Sequence, residues 1–130
     1  VLGAGLEHGA SLVAEAVGLP EALADATLVI TGEGSFDSQS VRGKVADGVA
    51  RLAAASPARP PVVVLAGRVL LPAAQARAAG IHAAFSIAPG PVELDELMAR
   101  TASRLTELAA SVTGLVLAAR GGDASAPAAP

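Results

Sequence analysis

The chain has 130 residues, 52% of them apolar, 16% charged and 2% aromatic, with a formal net charge of -3. That length suits one domain, and so aliphatic-rich and charge-poor a composition is not that of a disordered chain. No basic surplus exists to engage nucleic acid or an anionic membrane, and the lack of cysteine rules out disulfides and thiolate metal sites.

Residues 7–17 carry Leu12, Val13, Ala16 and Val17 at helical spacing and stop at Gly18. Pro20 suits the first turn of a second short helix over 21–24. Thr27-Leu28-Val29-Ile30-Thr31 is an unbroken β-branched and aliphatic run, the pattern of a strand buried on both faces. The polar, glycine-rich stretch 32–43 has no period and reads as a loop. A helix is expected over 44–55, with Val45, Val49, Leu52 and Ala53 on one face. Beyond the proline cluster at 57–61, Val62-Val63-Val64-Leu65-Ala66 predicts a second buried strand.

Pro72 and Gly80 bracket a short helix over 73–79, and a third strand follows over 83–87, with Phe85 in the core. Leu94, Leu97, Met98, Leu105, Leu108, Val112, Leu115 and Val116 recur at helical spacing and predict one long amphipathic helix ending at Gly121-Gly122. Glu93, Asp95 and Glu96 suit its first turn. The organisation expected is a leading helical segment (1–26), an α/β unit (27–119) and a disordered tail (120–130).

Strands alternating with helices imply a parallel sheet with helices on its faces. Three strands leave an exposed edge, so the sheet is expected to be completed by a missing amino-terminal half or a partner chain. The opening on Val, within a Gly/Ala-rich stretch, also suggests the interior of a longer protein. No run reaches the roughly 18 apolar residues of a membrane span, and the first residues lack the basic and apolar regions of a secretory signal. A soluble, cytoplasmic protein is expected. His8 and His82 are too far apart in sequence to suggest a zinc site and read as structural.

Ligands of parallel α/β sheets gather beyond the carboxyl ends of the strands. The stretch Thr31-Gly32-Glu33-Gly34-Ser35-Phe36-Asp37-Ser38-Gln39-Ser40-Val41-Arg42-Gly43-Lys44 lies there. Its glycines permit close backbone approach to a ligand, its carboxylates are hard oxygen donors for Mg²⁺, and Lys44 offers a point charge for phosphate. Lys44 is the one lysine among nine basic residues. A cation in the first turn of a helix sits at the wrong end of the dipole unless an anion joins it. The plainer readings are a solvated Lys44, a turn-forming Asp37 and a Glu33 that caps or faces water. The spacing is not that of a Walker A loop, because Ser38 and Val45 stand where glycine and a hydroxyl are needed.

The string from Leu28 to Val45 resembles the signature of the glycerate kinase type 1 family, V-I-T-G-E-G-x-x-D-x-Q-[ST]-x-x-G-K. The resemblance continues through Val62-Val63-Val64-Leu65-Ala66-Gly67, through the segment from Gly80 to Ile87, and into the final helix. Ser35 stands where many members carry Arg. The resemblance implies the carboxy-terminal part of a two-domain enzyme, here an incomplete, parallel-sheet, Rossmann-like three-layer α/β domain. It also implies transfer of the ATP γ-phosphoryl to D-glycerate with Mg²⁺, giving 2-phosphoglycerate. Asp37 and Glu33 would then hold Mg²⁺ or serve as general base, and Lys44 would neutralise phosphate or carboxylate. Gln39, Ser40, Arg42 and Gly43 would bind substrate or phosphate, with the amides of Gly32 and Gly34 lining the anion. Arg68 could reach the same cleft or remain solvated. A non-catalytic α/β module that keeps an anion-binding loop is the competing reading. A flavodoxin-like binding module is disfavoured, since 2% aromatics supply no platform for a flavin.

Overall fold

The computed structural model describes residues 17–121. The expected helix over 7–17 and most of the expected tail lie outside the described residues. The order is α1 (Leu19–Leu23), β1 (Val29–Phe36), α2 (Val45–Ala55), β2 (Val62–Val69), α3 (Ala73–Ala78), β3 (Ala83–Ser86), α4 (Leu94–Ala99) and α5 (Thr101–Ala119). The strands form one parallel sheet in the order β1-β2-β3. No helix among the described residues is long and apolar enough to cross a membrane.

Helices cover both faces, as the alternation of elements implied. On one face Val62, Val64 and Ala66 of β2 pack with Leu23 of α1, with Ala46, Ala50 and Ala53 of α2, and with Ala76 of α3. Alanines four and three residues apart let α2 lie close to the sheet, which suits a chain poor in large side chains. On the other face Val63 and Leu65 pack against Val112, Leu108 and Ala109 of α5. His82 pins β3 to β2: its backbone N–H donates to the Val62 carbonyl at 2.8 Å, and its Nδ1 accepts the Val62 N–H at 3.0 Å.

Several expectations need correction. β1 does not stop at Thr31 but runs through the glycine-rich stretch to Phe36, because β2 also runs on and pairs Gly32 with Leu65, Glu33 with Ala66 and Ser35 with Arg68. The two backbones close tightly there. A Cβ on Gly67 would lie 2.7 Å from the Gly34 carbonyl oxygen, so only glycine fits. Nor is β1 buried on both faces. Its residues alternate between half-buried and exposed up to Phe36, which is fully buried. An edge strand with one neighbour has fewer atoms to cover it.

The long carboxy-terminal helix is two helices, broken at Arg100, which leaves helical geometry at φ -111° and ψ 12°. Met98 is therefore not core but 66% exposed, and Phe85 is 39% exposed where a buried ring was expected. In α2 the buried stripe is Ala46, Asp47, Ala50 and Ala53, with Val45 exposed and Val49 and Leu52 only partly covered.

Candidate active site

The carboxyl ends of β1 and β2 and the turn into α2 bring the sequence-singled residues to one rim. Glu33 sits in β1 between Gly32 and Gly34, opposite Ala66. Its Oε1 is buried and has no hydrogen-bond partner among the described residues. A buried carboxylate oxygen without a donor costs roughly 1–3 kcal/mol or more, so this atom requires a cation or a donor. One pair further along, Arg68 Nε donates to Ser35 Oγ at 3.0 Å across the ladder. Arg68 thus stands two positions beyond the Glu33–Ala66 pair and is exposed.

Beyond Phe36 the chain folds into a self-braced loop. The Gln39 N–H donates to Asp37 Oδ1 at 2.9 Å, an Asx turn that leaves Oδ2 without a protein donor among the described residues. The turn reading therefore holds for Asp37, which is half-buried. Ser40 departs from the expectation of a ligand-facing hydroxyl. It is fully buried; its Oγ accepts the Asp37 N–H and donates to the Ser35 carbonyl, both at 3.1 Å. Its hydroxyl is committed to holding the loop. Gln39 and Arg42 point their positions outward and are exposed.

Gly43 turns the chain into α2 with φ +83°, a conformation that favours glycine. Lys44 follows as the helix N-cap, exposed and with no side-chain cap of its own. The cap comes instead from Asp47, the third helical residue, whose Oδ2 accepts the Gly43 N–H at 2.7 Å. Asp47 is buried, and Arg51 closes on it through Nε at 3.1 Å and Nη2 at 3.0 Å. Sequence reasoning missed Asp47. The signal was present, since an acid three residues after a non-capping residue is half of a capping box.

The described residues hold no cluster of three or more His, Asp or Glu able to take a metal by themselves. Glu33 and Asp37 offer two carboxylates at most. That suits Mg²⁺, which commonly takes one or two carboxylates and fills its shell with water and substrate phosphate. The rim is open. A groove of about 420 Å³ lies between the start of β1 and α5, and a hollow of about 380 Å³ lies at the amino ends of β2 and β3. Neither includes a residue of the 32–44 stretch.

Comparison with known proteins adds the relationship. An uncharacterized protein of Mycobacterium tuberculosis is 44% identical over 118 residues, which is 85% of this chain and 30% of that protein. A glycerate kinase of Bacillus subtilis is 38% identical over 119 residues, 92% of this chain and 31% of that protein. The glycerate 2-kinase of Escherichia coli is 43% identical over 95 residues, 73% of this chain and 24% of the enzyme. The chain thus spans under a third of the length of these relatives. The model of the glycerate kinase family matches residues 1–117, nearly all of the sequence. With its Gly-Glu-Gly strand end, braced loop and Gly43-Lys44 helix start, this chain belongs to the glycerate kinase family.

Proposed function

We propose that residues 32–44 form one wall of an active site that transfers the γ-phosphoryl of ATP to D-glycerate, giving 2-phosphoglycerate. The unpartnered, buried Oε1 of Glu33 is the observation that carries this reading. Phosphoryl transfer asks a protein to position and neutralise rather than to form covalent bonds. Glu33 and the free oxygen of Asp37 are the residues that would hold Mg²⁺, and the ion would neutralise charge on the transferred phosphate. Either carboxylate could instead accept the proton of the attacking hydroxyl. The amides of Gly32 and Gly34 and the exposed Gln39, Arg42 and Lys44 would orient phosphate and carboxylate oxygens. An anion at the amino end of α2 would also offset the poor placement of the Lys44 ammonium against the helix dipole. Gly43 and Ser40 shape the loop that presents these groups.

The open rim fits a wall better than a whole cleft. Ile30, Gly32 and Gly34 are exposed along β1, and among the described residues β1 pairs on one edge only. Further sheet, from an amino-terminal half or a partner chain, would cover that edge and close the site, and the 130-residue chain alone would be inactive. A kinase that draws on ATP would work in the cytoplasm. The same openness favours the second reading, a non-catalytic module that keeps the loop.

A coupled assay of ADP release with D-glycerate, ATP and Mg²⁺ on the full-length protein separates the two. Asp37→Asn and Glu33→Gln should each lower kcat by about 10²-fold or more, and Lys44→Ala should raise KM for one substrate. Variants that turn over at the wild-type rate would reduce the loop to scaffolding.

A further inference from the structure

The polar group least satisfied by the fold, apart from Glu33, is the guanidinium of Arg104. All eight arginines lie among the described residues, and the other seven are exposed. The Arg104 side chain is only 15% exposed, and its Nε is buried without a hydrogen-bond partner among the described residues. Its ion-pair contact is a long one, 3.9 Å from Nη2 to Oε1 of Glu96, a carboxylate that is itself 52% exposed. Among the described residues, five N–H donors in a planar fork are thus served by one distant and half-exposed carboxylate. No apolar role needs a guanidinium there.

The position of Arg104 in the fold narrows what can serve its guanidinium. Arg104 precedes Leu108 by one turn and Val112 by two, on the stripe of α5 that packs against Val63 and Leu65. The other end of α5, at Val116 and Leu117, flanks Thr27, Leu28 and Ile30 around the start of β1. The helix therefore runs against the strands, and stepping back eight residues from Val112 climbs about 12 Å. That reaches the level of the strands' carboxyl ends. Gly34 and Gly67 meet there with no side chains to fill the space.

We infer that Arg104 anchors an oxyanion of the bound substrates, the carboxylate of the acceptor or a phosphate of the nucleotide. A planar fork matches either anion in two parallel hydrogen bonds. A ligand lying across the strand ends meets Glu33 from one face of the sheet and Arg104 from the other. This assignment rests on the active-site reading proposed above, and it adds a group that the loop sequence does not contain.

The test uses the full-length protein, with steady-state kinetics in both substrates and thermal unfolding in D-glycerate alone and in inorganic phosphate alone. Arg104→Ala should raise KM for one substrate by about tenfold or more, change kcat less, and abolish the rise in Tm that the matching anion gives. A KM effect on D-glycerate names the carboxylate; one on ATP names the phosphate. Arg104→Lys keeps the charge without the fork and should fall between, which carries the test if the alanine variant does not fold. Unchanged KM and unchanged anion stabilisation in the variants overturn the assignment. So does a fall in Tm without anion while KM holds, because the partner would then be a carboxylate of the protein. If the wild type does not phosphorylate D-glycerate, the kinase reading fails by itself. Loss of phosphate stabilisation in Arg104→Ala would still support the anchor, and a wild type stabilised by neither anion would sink it.

Discussion

β1 and β2 are both eight residues long, parallel and directly paired, yet their surroundings differ completely. Five successive residues of β2 are buried, whereas β1 alternates between half-buried and exposed until Phe36. β2 has a strand on each side and helices on both faces. Among the described residues β1 has one neighbouring strand, and α5 leaves Ile30, Gly32 and Gly34 uncovered. The central strand is packed on every side over its first five residues. The edge strand carries Glu33 and feeds the loop, so the candidate chemistry sits where the packing is least complete.

The strongest way to probe this contrast within β1 is its one fully buried side chain. Phe36 joins the cluster of Val62, Val64 and α2. Phe36→Ala should cost about 3–5 kcal/mol of unfolding free energy, read from urea denaturation of the full-length protein. It should also disturb Asp37 and the loop beyond, since the Phe36 carbonyl accepts the N–H of Leu70 at 2.8 Å. A cost below about 1 kcal/mol, the scale of surface changes, would mean that the carboxyl end of β1 is not anchored as described.

A smaller effect is expected at the far end of the loop. Asp47→Ala removes the cap on the Gly43 N–H and should cost about 1–2 kcal/mol. Most of that belongs to the cap, because Arg51 is largely exposed and a solvated ion pair adds little. Asp47→Asn keeps an acceptor for Gly43 and should lose less. Equal losses in the two variants would shift the weight from the cap to the Arg51 pair.

The same contrast explains what the sequence could and could not disclose. Val62 to Ala66 announces a central strand because its composition and its environment agree. Gly32 to Phe36 reads as loop because nothing local marks it as strand; pairing with an extended β2 decides its state. The break at Arg100 was hidden because apolar residues on both sides keep helical spacing across it. Met98 and Phe85 looked like core because periodicity shows which residues share a face, not whether anything covers that face. At the site, the family motif pointed to Glu33, Asp37 and Lys44. It could not show that Ser40 is spent on bracing the loop.

The smallest expected effect is also the most discriminating for the open face of β1. Ile30 is 40% exposed and borders the groove against Val116 and Leu117. In the 130-residue chain Ile30→Ala should cost less than about 1 kcal/mol, as a partly exposed side chain forfeits little transfer free energy. In the full-length protein, further sheet laid against β1 would bury Ile30, and the same substitution should then cost about 2–5 kcal/mol. Urea denaturation of both proteins gives the comparison directly. A small cost in both contexts would leave that face open in the full-length protein, and whatever closes the candidate site would have to come from elsewhere than the edge of β1.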